Sequence, residues 1–163
     1  MKGNHMDIRF LIMDVDGTLT DGKIYMSDHG EFCKAFNIKA GCGIHDLLPP
    51  AGITPVVITG RKSRILEIRC IELAINELHQ GIHDKFKCLT EIMERKCADL
   101  SQAAYIGDDL NDIPCMHEIK KRGGITGCPA DAVEAVKKSA DFVSCKRGGE
   151  GAVREFIEFI LDK

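Results

Sequence analysis

The 163-residue chain contains no tryptophan, only 6% aromatic residues and no long hydrophobic run. No apolar stretch approaches the roughly 18–20 residues of a membrane-spanning helix, which argues against a membrane protein. Neither sign of charge dominates, because 22 Lys and Arg residues stand against 25 Asp and Glu residues, for a net charge of −3. Binding to nucleic-acid backbones depends on clustered cations, so this balance also argues against a nucleic-acid partner.

Signals for export and for zinc are missing as well. The N-terminus shows no basic segment followed by an apolar stretch, so we expect no secretory signal and a cytoplasmic protein. The eight cysteines form no C-x-x-C pair. Several lie in apolar patterns, among them Cys70 in a helical segment and Cys145 at the end of a strand segment. We therefore expect reduced, structural thiols rather than disulfides or a metal site.

The composition is that of a globular protein, with a hydrophobic share of 44% and a charged share of 29%. The length fits one domain. We expect residues 1–5 to be a disordered leader and residues 6–163 to form a single domain.

Short apolar runs alternate with longer amphipathic stretches along the chain. Runs of strand length occupy residues 8–13, 55–59, 103–106 and 142–145, with a weaker one near residue 125. Helical patterns occupy residues 62–74, 86–97 and 153–161. This alternation predicts an α/β fold, a doubly wound, Rossmann-like parallel sheet with helices on both faces.

Two segments depart from the alternation. Residues 23–26 and 31–36 have an extended pattern and flank the turn sequence Ser27-Asp28-His29-Gly30. They predict a β-hairpin that projects after the first strand. The Pro49-Pro50 pair is expected to stop a helix that starts near Gly43.

Two carboxylates, Asp14 and Asp16, directly follow the first predicted strand in the sequence Asp-Val-Asp-Gly-Thr. Ligands of an open parallel sheet gather at the carboxyl ends of its strands. Two acids this close repel each other unless a cation lies between them, and a hard cation with oxygen ligands, most plausibly Mg²⁺, fits this site. The alternative is a merely polar turn that leaves a strand.

Three further junctions carry polar groups suited to a phosphate. Thr59 and Gly60 end the next core strand with a hydroxyl and a backbone donor, Lys85 begins a helix, and the acidic cluster 108–112 follows another strand. Each has a structural alternative, namely an ordinary strand end, a solvated lysine or a helix N-cap. Together the four junctions offer a nucleophile, a hydroxyl, a cation and a metal ligand.

The series DVDGT, ITG, DK and GDDLND resembles the four motifs of the haloacid dehalogenase superfamily of phosphotransferases, over essentially the whole chain from about Ile8. Longer strings such as DGKIYMSDHGE and RGGEGAVREF are similar to the branch without a cap domain that acts on 3-deoxy-D-manno-octulosonate (KDO) 8-phosphate. The resemblance implies a Mg²⁺-dependent phosphatase of a keto-deoxy sugar acid. Its product would feed lipopolysaccharide or another acidic glycan.

The resemblance also implies a role for each motif residue. Asp14 would attack phosphorus and become an aspartyl-phosphate, and Asp16 would protonate the leaving sugar oxygen and then deprotonate the attacking water. Mg²⁺ would be held by the Asp14 carboxylate, the backbone carbonyl of Asp16 and the Asp108 carboxylate. Thr59 and Lys85 would hold the phosphoryl oxygens.

Supporting roles are implied for two more carboxylates and for a set of cations. Asp109 and Asp112 would position Lys85 or a metal-bound water. Lys62 and Arg69 are seven residues apart and are expected on one helix face, where, with Arg61, they suit a sugar carboxylate; solvated surface cations are the alternative for Lys62 and Arg69. The full set of candidate substrate-binding residues is Thr59, Gly60, Arg61, Lys62, Arg69 and Arg147.

The spacing of the motifs leaves no room for a separate cap domain between Asp14 and Thr59 or between Thr59 and Lys85. An uncapped site would stay open to water, and a neighbouring subunit could supply the missing wall. Because similar proteins are tetramers whose hairpins meet at a shared interface, the resemblance implies a homotetramer in which Arg147 could reach a neighbour's site.

Three other functions stay open. A two-component receiver domain also combines acids, Thr and Lys on such a sheet, but its phosphoacceptor lies on a later strand in the middle of the chain. Here the acidic pair that would carry the phosphoacceptor follows the first strand, before the Thr and the Lys. A phosphatase of a nine-carbon sugar acid 9-phosphate, such as keto-deoxynononate or N-acylneuraminate, is the nearest alternative. The third is a non-catalytic assembly domain like that of some sialic acid cytidylyltransferases, which lose the nucleophilic aspartate that Asp14 supplies here.

Overall fold

A computed structural model of the chain describes residues 7–163, so the predicted leader over residues 1–5 lies outside the described part. The described chain contains eight short strands. They are β1 (Phe10–Met13), β2 (Tyr25–Ser27), β3 (Gly30–Cys33), β4 (Thr54–Ile58), β5 (Glu77–His79), β6 (Ala103–Ile106), β7 (Ile125–Cys128) and β8 (Phe142–Val143).

Six strands form a parallel sheet in the order β5-β4-β1-β6-β7-β8. The central strand β1 pairs on both sides, with Phe10 opposite Thr54 of β4 and Ala103 of β6. The chain winds outward from β1 to β5 and then returns to the other side of β1. This reversal places the topological switch point, where open α/β sheets bind ligands, beside β1.

Helices cover both faces of the sheet, which confirms the predicted doubly wound fold. They are α1 (Ile38–Cys42), α2 (Arg64–Glu72), α3 (Lys85–Arg95), α4 (Ile113–Arg122), α5 (Glu134–Ser139) and α6 (Ala152–Leu161). Alternate residues of β1 face opposite layers: Leu11 and Met13 pack in one buried cluster with residues of α2 and α6. Phe10 and Ile12 pack in the other, with residues of α3 and α4.

The predicted hairpin is present. Strands β2 and β3 form a separate antiparallel pair in which Ser27 lies opposite Gly30. Gly30 has a φ of 105°, a left-handed conformation that glycine adopts without strain. The hairpin follows the loop after β1, which carries the paired carboxylates, and is not part of the six-stranded sheet.

The predicted helix near Gly43 differs from the structure at its start. It starts earlier, at Ile38, because the Asn37 side chain caps it by accepting from the backbone N–H groups of Lys39 and Ala40. The stop expected at Pro49-Pro50 agrees with the structure: the helical segment ends as a π-helical turn, Gly43–Leu47, and the prolines begin a separate 3₁₀ turn, Pro49–Ala51, where a missing N–H costs no hydrogen bond. The helical path ends at Gly52, whose φ is 74°.

All eight cysteines carry free thiols, as expected. Cys70, Cys88, Cys115 and Cys128 are buried, whereas Cys145 is exposed and lies two residues beyond the end of β8, so its predicted place at the end of the strand was wrong. Within residues 7–163, no helix is both long enough and apolar enough to cross a bilayer.

Candidate active site

Three neighbouring strands end at one edge of the sheet, and predicted site residues follow each of them. Asp14 follows β1, Thr59 follows β4, and Asp108 lies two residues after β6. The Asp14 backbone N–H donates to the Ile106 carbonyl at 3.0 Å, which fixes the first loop against β6. The edge forms a cleft of about 160 Å³, lined by Asp14, Asp16, Thr59, Gly60, Arg61, Asp108, Asp109 and Asn111.

Lys85 lies beneath this cleft as the first residue of α3. The Asp84 side chain caps the helix by accepting from the Lys87 backbone N–H. Lys85 Nζ donates to Asp14 Oδ1 and to Asp112 Oδ1, both at 2.7 Å, and its side chain is only 1% exposed. The amine is therefore held as a fixed positive charge against Asp14, since a buried ammonium is tolerated only when paired.

Asp112 is fully buried and accepts four hydrogen bonds. Its Oδ1 accepts from Lys85 Nζ and from the Tyr105 hydroxyl, each at 2.7 Å. Its Oδ2 accepts from the backbone N–H groups of Asp108 at 3.0 Å and Asp109 at 3.2 Å. Both oxygens are thus committed to donors, which makes Asp112 a positioning group for Lys85 and for the loop after β6.

The donor set at this edge suits a divalent cation. Carboxylate oxygens of Asp14, Asp108 and Asp112 lie within 4.8 Å of one another, with Lys85 as the positive charge that contacts two of them. Burial, with a further contribution from the Asp112 charge, raises the pKa of Asp14 to about 6. Burial and the Asp14 charge raise the pKa of Asp108 to about 8.

Both shifts mean that burial and the neighbouring carboxylates outweigh the positive charge that is present, which for Asp14 comes from Lys85. Because the oxygens of Asp112 are already bonded to donors, Asp14 and Asp108 are the side chains that remain for an ion. Clustered carboxylates beside backbone carbonyls suit Mg²⁺. The residues present therefore fit the predicted ion.

Gly17 allows the two acidic loops to meet. Its φ is 92°, and a Cβ atom at this position would overlap the Asp108 carboxylate. The neighbouring Thr18 hydroxyl donates to Asp108 Oδ1 at 3.3 Å. The glycine of the first motif is thus required by the close approach of the fourth.

Asp109 lines the cleft but does not touch Lys85. Its carboxylate accepts from the Leu110 backbone N–H at 2.7 Å and caps the short turn that precedes α4. Lys85 contacts Asp14 and Asp112 rather than Asp109, so the predicted role of Asp109 in positioning Lys85 has no supporting contact. The observed hydrogen bond is that of the alternative, a helix N-cap.

The predicted substrate-binding cations occupy different places. Arg61 lines the cleft beside Gly60, and its side chain is 39% exposed. Lys62 is exposed and lies over Gly81. The expectation that Lys62 and Arg69 share a helix face was wrong, because Ser63 caps α2 and leaves Lys62 outside the helix.

Two of these cations lie away from the cleft of their own chain. Arg69 packs over the Phe36 ring at 5.7 Å and donates to Glu72 at 3.1 Å. Arg147 pairs with Asp131 at 3.5 Å, and both line a different depression. Within one chain, only Arg61 of the predicted cations reaches the cleft.

Sequence reasoning missed three groups that the structure places at or beside the site. Tyr105 is buried behind Asp112, and the sole sequence signal was a hydroxyl in an otherwise apolar strand. Asn111 lines the cleft. Lys34, which follows β3, contacts Asp16, and no local pattern indicated it because the contact depends on how the hairpin folds back.

Comparison with known proteins gives a consistent result. Residues 71–157 match the sequence model of a family described as haloacid dehalogenase-like hydrolases. The 3-deoxy-D-manno-octulosonate 8-phosphate phosphatase KdsC of Escherichia coli (strain K12) is 41% identical over 155 residues, which span 95% of this chain and 80% of that protein.

Solved structures agree. The crystal structure of 3-deoxy-D-manno-octulosonate 8-phosphate phosphatase from Yersinia pestis superposes with a TM-score of 0.90 at 41% identity, covering 96% of this chain and 82% of that one. The enzyme from Moraxella catarrhalis, in complex with a magnesium ion, a phosphate ion and a KDO molecule, gives a TM-score of 0.90 at 37% identity, with 97% and 88% covered.

Proposed function

Because the chain belongs to the haloacid dehalogenase-like hydrolase family, we propose that it is a Mg²⁺-dependent phosphatase that hydrolyses KDO 8-phosphate through an aspartyl-phosphate. The observation that carries this proposal is the placement of Asp14. Its carboxylate ends the central strand, opens onto the cleft, and is fixed through Oδ1 by Lys85 Nζ at 2.7 Å.

The geometry supports a two-step reaction at Asp14. In the first step, an Asp14 oxygen bonds to phosphorus while the bond from phosphorus to the sugar oxygen breaks, and Asp16 gives that oxygen a proton. In the second step, water bonds to phosphorus, its proton goes to Asp16, and Asp14 is released together with inorganic phosphate. Asp16 lies on the same cleft, two residues further along the loop.

The remaining residues bind charge. Thr59 and Gly60 line the same cleft as Asp14 and can donate hydrogen bonds to phosphoryl oxygens. Lys85 adds a fixed positive charge. When bound between Asp14 and Asp108, Mg²⁺ supplies the charge that offsets the repulsion between carboxylate and phosphate. These groups stabilise charge that is spread over the transferring phosphoryl group.

The direct test is phosphate release from KDO 8-phosphate. We expect turnover in Mg²⁺, no turnover in EDTA, and a loss of at least about 10³-fold in Asp14→Asn, because the nucleophile is removed. The exposed hairpin residue Asp28 provides the matched control, and Asp28→Asn should keep the wild-type rate. Turnover that survives in Asp14→Asn would refute the mechanism.

Substrate choice is proposed to depend on Arg61, since it is the predicted cation that lines the cleft. A guanidinium binds a carboxylate with two parallel hydrogen bonds, which suits a sugar acid. The assay is a panel of kcat/KM values for KDO 8-phosphate and the nine-carbon sugar acid 9-phosphates. Arg61→Glu should reduce kcat/KM most for KDO 8-phosphate, and equal losses across the panel would remove this assignment.

We further propose a homotetramer in which a neighbour closes the cleft. The hairpin exposes Ile24, Met26 and Phe32, the last with 72% of its surface accessible, and Ile68 and Ile71 of α2 are exposed as well. So many large exposed apolar residues favour a protein interface. Light scattering should give four times the 18.0 kDa chain mass, and a fully active monomer would contradict the proposal.

We propose that residues 6–163 form one phosphatase domain without a cap and that the protein is cytoplasmic. The first part is supported by α6, which packs against residues from the N-terminal half in one buried cluster. The second is supported by eight free thiols, which persist in reducing compartments. Phosphatase activity confined to the cytosolic fraction of source cells would support the proposed location, and export of the protein would contradict it.

A further inference from the structure

Lys34, the residue that follows the β-hairpin, contacts a carboxylate that lines the cleft of its own chain. Lys34 Nζ donates to Asp16 Oδ1 at 2.5 Å and to Glu31 Oε1 at 3.0 Å. The Lys34 side chain is 4% exposed, against 19% for Asp16 and 16% for Glu31. An ammonium this deeply buried is tolerated only because both carboxylates pair with it.

Glu31 connects the same cluster to the loop after β4. One of its oxygens accepts a hydrogen bond from the Ser63 hydroxyl, and the other lies 3.7 Å from the Arg61 guanidinium. Ser63 is itself fixed, because its hydroxyl oxygen accepts from the Leu66 backbone N–H and caps α2. The cluster thus joins the hairpin to the loops after both β1 and β4.

We propose that Lys34 is a positioning residue that holds the Asp16 carboxylate toward the leaving-group oxygen, and that Glu31 holds Lys34 in place. The inference rests on the proposed function, since it gives Asp16 its role in proton transfer. Asp16 follows the strand end and is the more exposed acid of its loop, so its side chain needs an external contact to keep one orientation. Lys34 supplies that contact.

The consequence is a selective defect when Lys34 is lost. A sugar alkoxide needs a proton as it leaves, whereas p-nitrophenolate leaves without one. General acid catalysis typically contributes about 10²–10⁴-fold, and a displacement of about 1 Å costs about 10²-fold. Because kcat/KM reports the steps up to formation of the aspartyl-phosphate, it isolates the step in which Asp16 acts as the acid.

The experiment compares Lys34→Met with the wild type on KDO 8-phosphate and on p-nitrophenyl phosphate. We expect kcat/KM to fall about 100-fold for the sugar phosphate and by no more than about 3-fold for the aryl phosphate. Rapid mixing with the aryl phosphate should show a burst of p-nitrophenolate followed by slow turnover, because Asp16 also serves the hydrolysis step. A merely structural role would lower both values equally.

Two further variants keep the outcome decisive. Lys23→Met removes an exposed lysine at the base of the same hairpin and should change neither value. Glu31→Gln retains an acceptor for Lys34 without the charge, so we expect the same selective pattern at about 5–10-fold, even where Lys34→Met fails to fold.

The results separate this inference from the proposed function. Wild-type protein without sugar acid phosphatase activity, or Asp14→Asn with full activity, would refute the proposed function itself. Equal losses on the two substrates would instead show that Lys34 binds phosphate or supports the fold, and unchanged values would show that it plays no part. Either of these last two outcomes would overturn the positioning role while the phosphatase assignment stands.

Discussion

Binding of Mg²⁺ should displace about one proton near pH 7. Burial and the Asp14 charge raise the pKa of Asp108 to about 8, and burial with the Asp112 charge raises that of Asp14 to about 6. At pH 7, Asp108 is therefore about 90% protonated and Asp14 about 10% protonated in the metal-free protein. The ion requires both as carboxylates, so about one proton leaves for each ion that binds.

The same reasoning gives a pH dependence of affinity. Between about pH 8 and pH 6, the apparent Kd for Mg²⁺ should rise by about tenfold for each unit that the pH falls. Above about pH 9 the affinity should be independent of pH, because both groups are ionised before the ion arrives. Isothermal titration calorimetry in buffers of different ionisation enthalpy measures the proton release directly.

Without the metal, the free energy of unfolding should fall as pH rises, whereas the affinity for Mg²⁺ increases with pH. The folded-state pKa values lie above the ordinary value of 3.8, so the folded chain holds more protons than the unfolded chain between about pH 4 and pH 8. In EDTA, the free energy of unfolding should therefore fall as pH rises from 6 to 8, by about 1.4 kcal/mol per unit in all and mainly through Asp108, because Asp14 has already lost most of its proton above pH 6. Saturating Mg²⁺ should remove most of this slope.

The reasoning would be refuted by Mg²⁺ binding that releases no proton at pH 7, or by equal affinities at pH 6 and pH 8.5. Asp28→Asn, in the exposed hairpin turn, is the control and should leave proton release unchanged.

Three other predictions concern single contacts. Tyr105→Phe removes a buried hydrogen bond to Asp112 and should cost about 1–3 kcal/mol in urea unfolding while lowering kcat more than it raises KM; an unchanged unfolding midpoint would contradict this. Gly17→Ala places a Cβ against the Asp108 carboxylate and should weaken Mg²⁺ binding at least about 10-fold in calorimetry, whereas Gly52→Ala, with open space around it, should not. Phe32→Glu should shift the light-scattering mass below that of the tetramer, and an unchanged mass would exclude the hairpin as an interface.

Local sequence patterns predicted much of this fold because its strands are short, apolar and buried on both faces. Residues 10–13 and 103–106 form β1 and β6 within the runs identified from sequence. The ends of these strands then predicted the place of Asp14 and Asp108, since parallel strands share one functional edge. The pattern did not identify β5, whose three residues are half-buried and carry no apolar run.

Contacts between distant segments could not be predicted in the same way. In the sequence, nothing distinguishes Lys34 from a solvent-exposed lysine of a hairpin. Its burial depends on the hairpin folding back over the loop after β1. Likewise, Lys62 and Arg69 have helical spacing, but the Ser63 cap starts α2 too late to include Lys62. A single capping side chain therefore decides which cations share a helix face, and spacing alone carries no such information.

The two strands of the hairpin also explain how one short element can serve both chemistry and assembly. Successive side chains of a strand point to opposite faces. In β3, Glu31 pairs with Lys34, whereas the next residue, Phe32, is 72% exposed. A neighbour that packs on Phe32 would press on the hairpin from outside, while the Lys34 ion pairs hold it from inside. Assembly of the tetramer would then stabilise the orientation of Asp16 without supplying any group that reacts.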